Sequence, residues 1–306
     1  MSRRDLIDPQ MRPALESRLE AVPGGFGAIP DIVRRRALIA ALAGGVEPAA
    51  GSAVVREDHP GVRVYRPAGH TAMLPGILYI HGGGMVQGSV AGADGDAAML
   101  CAEVGAVVVS VEYRLAPEHP YPAALDDCYA ALTWMCGAAA GLGLDPGRVA
   151  IYGPSAGGGL AIATALAARD RGGPAVRFLM PIYPMLDDRN ETASSHEITD
   201  IGSWDRATNI EAWNWYLNGR PADRYAAPAR ADDLSGLPPT FIDVGTVDLF
   251  RDEDIAFAQR LMAAGVPTEL HVHPGAYHGA EALAPDADLS RRILALRLNA
   301  LRRALA

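Results

Sequence analysis

The strand-like stretches of this chain are mostly continuous apolar runs, not alternating ones. Gly76-Ile77-Leu78-Tyr79-Ile80, Ala106-Val107-Val108-Val109-Ser110-Val111 and Val149-Ala150-Ile151-Tyr152 are apolar at nearly every position. A strand can be apolar on both sides of its pleat only when both faces are covered, as in a parallel sheet between helices. Val176 to Ile182, Thr240 to Val244 and Thr268 to Val272 predict further strands. Ser52 to Arg56 and Val62 to Arg66 predict an antiparallel pair ahead of them. Helical spacing fills the intervals: Ala91 to Val104, Ala123 to Met135, Leu160 to Ala168, Glu253 to Ala263 stopped by Gly265, and Leu289 to Leu305. Strands alternating with helices predict an α/β chain with a mostly parallel central sheet, about eight strands, and helices on both faces.

Two segments depart from the alternation. Before any strand, Asp8-Pro9 caps a helical pattern through Met11, Leu15 and Leu19, and a second runs from Pro30 through Leu42 to a stop at Gly44-Gly45. Residues 1–48 are expected to form an N-terminal helical cap segment or simply to cover the sheet. From Met185 to about Arg224 no strand is predicted, and three of the four tryptophans fall there or nearby: Trp204, Trp213 and Trp215, with Tyr216. This stretch, 185–224, is expected to be an insertion into the main domain of residues 49–306, with some of its aromatic side chains lining a pocket.

Composition narrows the chemistry. All 27 basic residues are arginine, so a P-loop lysine, a pyridoxal Schiff base and a Ser-Lys dyad are excluded. The net charge of −9, with no basic run beyond Arg34-Arg35-Arg36, argues against nucleic acid as a partner. The three cysteines, Cys101, Cys128 and Cys136, have no metal-ligand spacing and read as thiols of a reduced compartment. The N-terminal stretch has charge but no apolar leader, and no run of about 18 apolar residues occurs. The expectation is a cytoplasmic enzyme with no membrane insertion, no metal and no cofactor.

One motif sits where it carries chemistry. Gly153-Pro154-Ser155-Ala156-Gly157 joins the strand ending at Tyr152 to the helix through Leu160. Strand, sharp turn and helix are the context of a nucleophile elbow, which strains the serine backbone and lifts its hydroxyl above the sheet. Gly153 and Gly157 are expected where strand and helix pass too close for a Cβ. A serine hydroxyl needs a base, and the base needs an acid to hold its tautomer, in the chain order Ser, Asp or Glu, His. His271, His273 and His278 follow all plausible acids, and His278 alone lies beyond the strand pattern, in the loop Pro274 to Gly279. Among the acids, Asp243 lies within a strand, Asp248 just beyond it, and Asp252 at a helix start where carboxylates commonly cap. Asp248 is the choice, with Asp252 second. His81-Gly82-Gly83-Gly84 follows a strand directly; its bare N–H groups, with that of Ala156, suit an oxyanion hole, and His81 reads as orienting the loop.

These pieces, with Tyr113-Arg114-Leu115-Ala116-Pro117-Glu118, Asp187-Asp188-Arg189 and Asp248 to Glu253, stand in one order from about residue 50 onward. In that order the chain resembles the hormone-sensitive-lipase-like carboxylesterases of the α/β-hydrolase superfamily. The resemblance implies an α/β-hydrolase fold with a helical cap built from residues 1–48 and the insertion. It implies Ser155, Asp248 and His278 as triad and Gly83, Gly84 and Ala156 as oxyanion hole. It also implies hydrolysis of short- to medium-chain esters and admits a homodimer. Two positions depart from the family: Pro154 stands where Asp is usual, and Ala280 where Phe is usual. Two other readings stay open: an amidase, deacetylase or lactonase on the same residues, and a non-catalytic small-molecule receptor, which in this family typically lacks the histidine.

Overall fold

The computed structural model describes residues 3–43 and 53–306. The predicted stop at Gly44-Gly45, the strand start at Ser52 and the boundary at residue 48 lie outside the described residues. The strands are β1 (Val54–His59), β2 (Val62–Pro67), β3 (Leu74–Ile80), β4 (Val107–Val111), β5 (Leu144–Pro154), β6 (Phe178–Ile182), β7 (Thr240–Val247) and β8 (Thr268–Tyr277). The helices are α1 (Arg12–Ala21), α2 (Ile32–Ala43), α3 (Asp94–Val104), α4 (Ala123–Gly137), α5 (Ala139–Leu142), α6 (Ala156–Arg171), α7 (Ala193–Glu197), α8 (Arg206–Leu217), α9 (Arg251–Ala263), α10 (Ala280–Leu283) and α11 (Asp288–Leu305).

The strands form one sheet in the order β1-β2-β4-β3-β5-β6-β7-β8. β1 and β2 pair antiparallel, β2 pairs antiparallel with β4, and the pairings from β4 to β8 are parallel. In register, Leu78 faces Val109 on one side and Ile151 on the other. The apolar runs split by parity. Leu78, Ile80, Val149 and Ile151 pack under α4, α6 and α9, whereas Ile77, Tyr79, Ala150 and Tyr152 pack under α3 and α11. That two-sided burial is why the runs show no alternation.

The insertion between β6 and β7 contains α7 and α8 and no strand, as the aromatic segment predicts. One predicted loop is shorter than expected: β8 continues through Tyr277, so His278 follows the strand directly. α6 starts at Ala156, immediately after the serine, as the elbow predicts. β5 begins at Leu144, earlier than its apolar run, because Leu144 pairs with Leu74 ahead of a register shift.

The N-terminal helices are tied to this insertion. Arg35, 1 % exposed, pairs with Glu211 of α8 at 2.7 Å and lies over the Trp215 ring. Arg36 donates to the Val86 carbonyl at 2.7 Å and to Glu118. Two of the three arginines of the basic run are thus engaged within the chain, and Arg34 is exposed. Gly27 lies so close to α8 that a Cβ there would fall 1.8 Å from Thr208 Oγ1.

Candidate active site

Ser155 sits at the corner between β5 and α6 with φ 58° and ψ −123°, a strained conformation for a residue with a Cβ. The corner closes because two glycines leave room. A Cβ on Gly153 would meet the Gly157 carbonyl at 2.2 Å, and one on Gly157 would meet the Ile80 carbonyl at 2.0 Å. The Ser155 N–H donates to the Ile182 carbonyl at 2.8 Å, which fixes the corner to the end of β6.

Three of the expected residues meet in one hydrogen-bonded chain. Ser155 O–H donates to His278 Nε2 at 2.8 Å, and His278 Nδ1–H donates to Asp248 Oδ2 at 2.9 Å. The carboxylate, which can only accept, places the proton on Nδ1 and leaves Nε2 as acceptor. Asp248 is fully buried, and its other oxygen accepts from the Phe250 N–H at 3.0 Å. The imidazole is boxed by aromatic rings: Tyr183 at 4.7 Å and Phe250 at 5.1 Å, both edge-to-face, and Trp204 at 6.4 Å. Its carbonyl accepts from the Ser203 hydroxyl, a direct link from the insertion to the site.

The glycine loop after β3 wraps this corner. Gly83 and Gly84 have φ of 113° and 64°, a region that favours glycine. The Gly83 carbonyl accepts from the Val86 and Gln87 N–H groups, while the N–H groups of Gly83, Gly84 and Ala156 take no partner among the described residues. Ala156 opens α6, whose first N–H groups are free by construction and carry the positive end of the helix dipole. His81 stacks on Tyr113 at 4.1 Å and donates from Nδ1 to the Gly82 carbonyl at 2.8 Å. Burial pushes its imidazole down to about 4, against the pull of the Gly82 carbonyl, so it is neutral near pH 7 and holds the loop.

The competing acids are engaged elsewhere. Asp243, buried in β7, pairs with Arg297 at 2.7 Å and His273 at 3.5 Å. Burial would raise its carboxyl, but the Arg297 charge, with His273, outweighs it and holds the carboxyl low. Asp252 does not cap its own helix. Its Oδ2 accepts from the Ser194 N–H of α7 at 2.7 Å, and its N–H donates to Ser194 Oγ at 3.1 Å. Beyond it lie two buried acids that sequence reading passed over. Glu253 accepts from Leu186 N–H at 2.8 Å, and neither oxygen of Asp254 has a partner among the described residues. Burial raises both carboxyls well above their usual range, helped for Asp254 by the charges of Glu253, Asp248 and Asp243.

A cavity of about 360 Å³ opens at Ser155 and His278 and is walled by the glycine loop, Trp204, Tyr183, Asp96, Arg18 and α10. Of the four aromatic residues expected near a pocket, Trp204 lines it. Trp213 and Tyr216 are buried in the packing of α8, and Trp215 stacks with Arg35. Tyr183 was not foreseen. It has φ 33°, and its O–H donates to Glu281 at 2.7 Å, which Arg297 holds at 2.6 Å. The signal that could have found this network was Asp243 itself, since a carboxylate inside a covered strand requires a cation.

Fold and site together define a hydrolase of the α/β-hydrolase class. A family model described as the alpha/beta hydrolase fold matches residues 77–282. The chain is 42% identical over 224 residues to carboxylesterase NlhH of Mycobacterium tuberculosis (strain ATCC 25618 / H37Rv), covering 71% of this chain and 70% of that protein. It is 35% identical over 235 residues to an ethyl acetate hydrolase of Pseudomonas putida, covering 74% and 73%. Among solved structures it is similar to a bacterial heroin esterase, with TM-score 0.89, 38% identity and 99% of each chain covered. The chain belongs to the hormone-sensitive-lipase-like branch of the α/β-hydrolase family and is a carboxylic ester hydrolase. No described helix is long and apolar enough to cross a membrane.

Proposed function

We propose that Ser155 is the nucleophile, His278 the general base and Asp248 its orienting acid, in hydrolysis of small-molecule carboxylic esters through an acyl-enzyme. The observation that carries this is the unbroken chain Ser155–His278–Asp248 at the mouth of a cavity. His278 Nε2 takes the hydroxyl proton as Ser155 Oγ attacks the ester carbonyl carbon. The oxyanion is received by the N–H groups of Gly83, Gly84 and Ala156, whose freedom from other partners supports that role. The tetrahedral intermediate collapses as His278 protonates the leaving alcohol. Water, deprotonated by the same nitrogen, then attacks the acyl-serine, and the acid departs. A triad of this kind on a receptor would be idle, and the aligned histidine favours the enzyme.

The described N-terminal helices and the 185–224 insertion act in this reading as one cap over the 49–306 domain. The Arg35–Glu211 pair, the Arg36 bond to Val86 and the Ser203 bond to His278 support it. A cavity of about 360 Å³ is near the lower end of the roughly 300–1,000 Å³ usual for small-molecule sites, which favours soluble esters with acyl chains of roughly two to eight carbons. Free, buried Cys101 and Cys128 accord with a cytoplasmic enzyme. The test is Ser155→Ala with a nitrophenyl acetate assay. Turnover is expected to fall by about 10⁴–10⁶ with cooperative melting retained. Activity at more than about one hundredth of the parent would remove Ser155 from the role.

A further inference from the structure

Two acids stand in the first turn of α3, and the fold uses them differently. Asp94 is saturated: it accepts from Arg63 at 2.8 Å, from Arg56 at 3.2 Å and from the Tyr65 hydroxyl. Asp96, two residues on and so on the other side of the helix, lines the cavity that holds Ser155 and His278. No arginine pairs with it among the described residues. Among the described residues its carboxylate accepts one hydrogen bond, from Tyr79 O–H at 3.3 Å. Asp96 is an exposed residue that opens onto the cavity. Partial desolvation raises its carboxyl, and the Glu281 charge adds to the effect against Tyr79 and Arg297.

The surroundings are aromatic. Tyr79, Tyr183 and Trp204 line the same cavity. The Tyr183 hydroxyl is committed to Glu281, which shares Arg297 with Asp243. Asp96 is the carboxylate among the cavity-lining residues and has no ion pair among the described residues. Pro154 lines the cavity without charge. An aromatic wall beside a carboxylate without an ion pair is the chemistry that receives an organic cation. The Tyr79 ring already stacks on Tyr152 and Arg297 already lies over Tyr183 at 5.4 Å, which leaves Trp204 as the ring of this wall. Arg18 enters the cavity from α1, its guanidinium over the Phe26 ring at 5.2 Å, so a cationic group is directed away from it and toward Asp96.

The geometry points to a cation subsite in which Asp96, with Trp204 lining the same cavity, receives a protonated or quaternary nitrogen borne by the ester substrate. This rests on the reading of Ser155 as nucleophile and names the substrate class for it: esters carrying an amine or ammonium group. The subsite is a specificity device and takes no part in proton transfer.

The experiment compares esters of equal shape. On the alcohol side, choline acetate is set against 3,3-dimethylbutyl acetate, in which carbon replaces nitrogen. On the acyl side, ethyl 4-(trimethylammonio)butyrate is set against ethyl 5,5-dimethylhexanoate. After correction for uncatalysed rates, the parent enzyme is expected to prefer the cationic member of at least one pair by about tenfold in kcat/KM. Asp96→Asn should bring that ratio to about one, Asp96→Glu should retain most of it, and Arg18→Gln should raise it. Competitive inhibition of nitrophenyl acetate hydrolysis by phenyltrimethylammonium, compared with tert-butylbenzene, reads the subsite on the parent protein without any variant. A parent that prefers the neutral ester in both pairs, a ratio unmoved by Asp96→Asn, or equal inhibition by the two probes would overturn the proposal. Turnover surviving in Ser155→Ala would instead sink the nucleophile reading and is separately visible.

Discussion

The indole of Trp204 and the backbone of Gly84 are in contact: a Cβ built on Gly84 would fall 2.4 Å from Cη2 of the ring. A side chain of the insertion therefore presses directly on the loop assigned to the oxyanion hole. It is held there by a buried polar chain, in which Trp204 Nε1–H donates to Asn209 at 2.9 Å and Asn209 donates to Asn190. On the proposed assignment, substrate room and oxyanion geometry are coupled through this contact.

Gly84→Ala is expected to lower kcat for nitrophenyl acetate by about 10²–10³, the scale of losing one oxyanion donor. Both the positive φ and the indole oppose the added methyl. Trp204→Leu should act on substrate size instead. With about 0.8 kcal/mol available per buried CH₂, the optimum in kcat/KM should move to longer acyl chains. A series from acetate to palmitate checks both. An unshifted optimum in Trp204→Leu would mean the indole does not bound the acyl site, and a parent optimum at palmitate would contradict the small-ester reading.

Asp248→Asn should cost roughly 10⁴ in kcat, because the amide no longer holds the Nδ1–H tautomer of His278. Asp252→Asn should leave kcat near the parent value and lower stability by about 1 kcal/mol or less, since it weakens the partly exposed reciprocal bonds to Ser194. Steady-state kinetics and thermal melts on the two variants decide the assignment, and the reverse pattern would exchange the roles of the two acids.

The rate should fall in acid along a single ionisation, because His278 must be unprotonated to accept the serine proton. His81, pushed down to about 4 by burial, adds no second limb near neutrality. The check is kcat/KM followed into acid for as long as the fold persists; a limb rising to a plateau is expected, and the absence of any acid limb would count against a histidine base.

Glu253 and Asp254 give stability a dependence of the opposite sense. Both folded carboxyls are raised, so the folded chain keeps protons that the unfolded chain releases. Their contribution is complete below the ordinary carboxyl pKa of about 4 and is lost as pH rises through the folded values. Asp254→Asn removes one of these sites. Denaturation curves across that range should show a shallower loss of stability with rising pH than the parent shows. Parallel curves would mean that the Asp254 carboxyl ionises alike in both states.

Local signals carried much of the structure. The elbow was readable because Gly153 and Gly157 answer a close approach between consecutive elements, and the helix begins at the next residue. His278 was readable because strand patterning ends near it, although β8 runs further than its alternation indicated. What could not be read depends on elements far apart in sequence. Trp204, Trp213 and Trp215 lie within one short stretch, yet one faces the cavity, one the core and one an arginine of α2. Asp252 looked like a cap for α9 because α7, its true partner, lies 58 positions away. Tyr183 and Asp96 had no pattern at all, since Tyr183 is placed by Glu281 far along the chain and Asp96 is marked by having no ion pair among the described residues.

β8 is both the last strand in the chain and the edge of the sheet, bonded to β7 alone among the described strands. His278 is 123 residues downstream of Ser155. At about 5–20 residues per second, a ribosome delivers the serine roughly 6–25 s before the histidine. Through that interval the elbow has no base, so on the proposed mechanism a nascent chain, or one truncated before β8, cannot hydrolyse the esters around it.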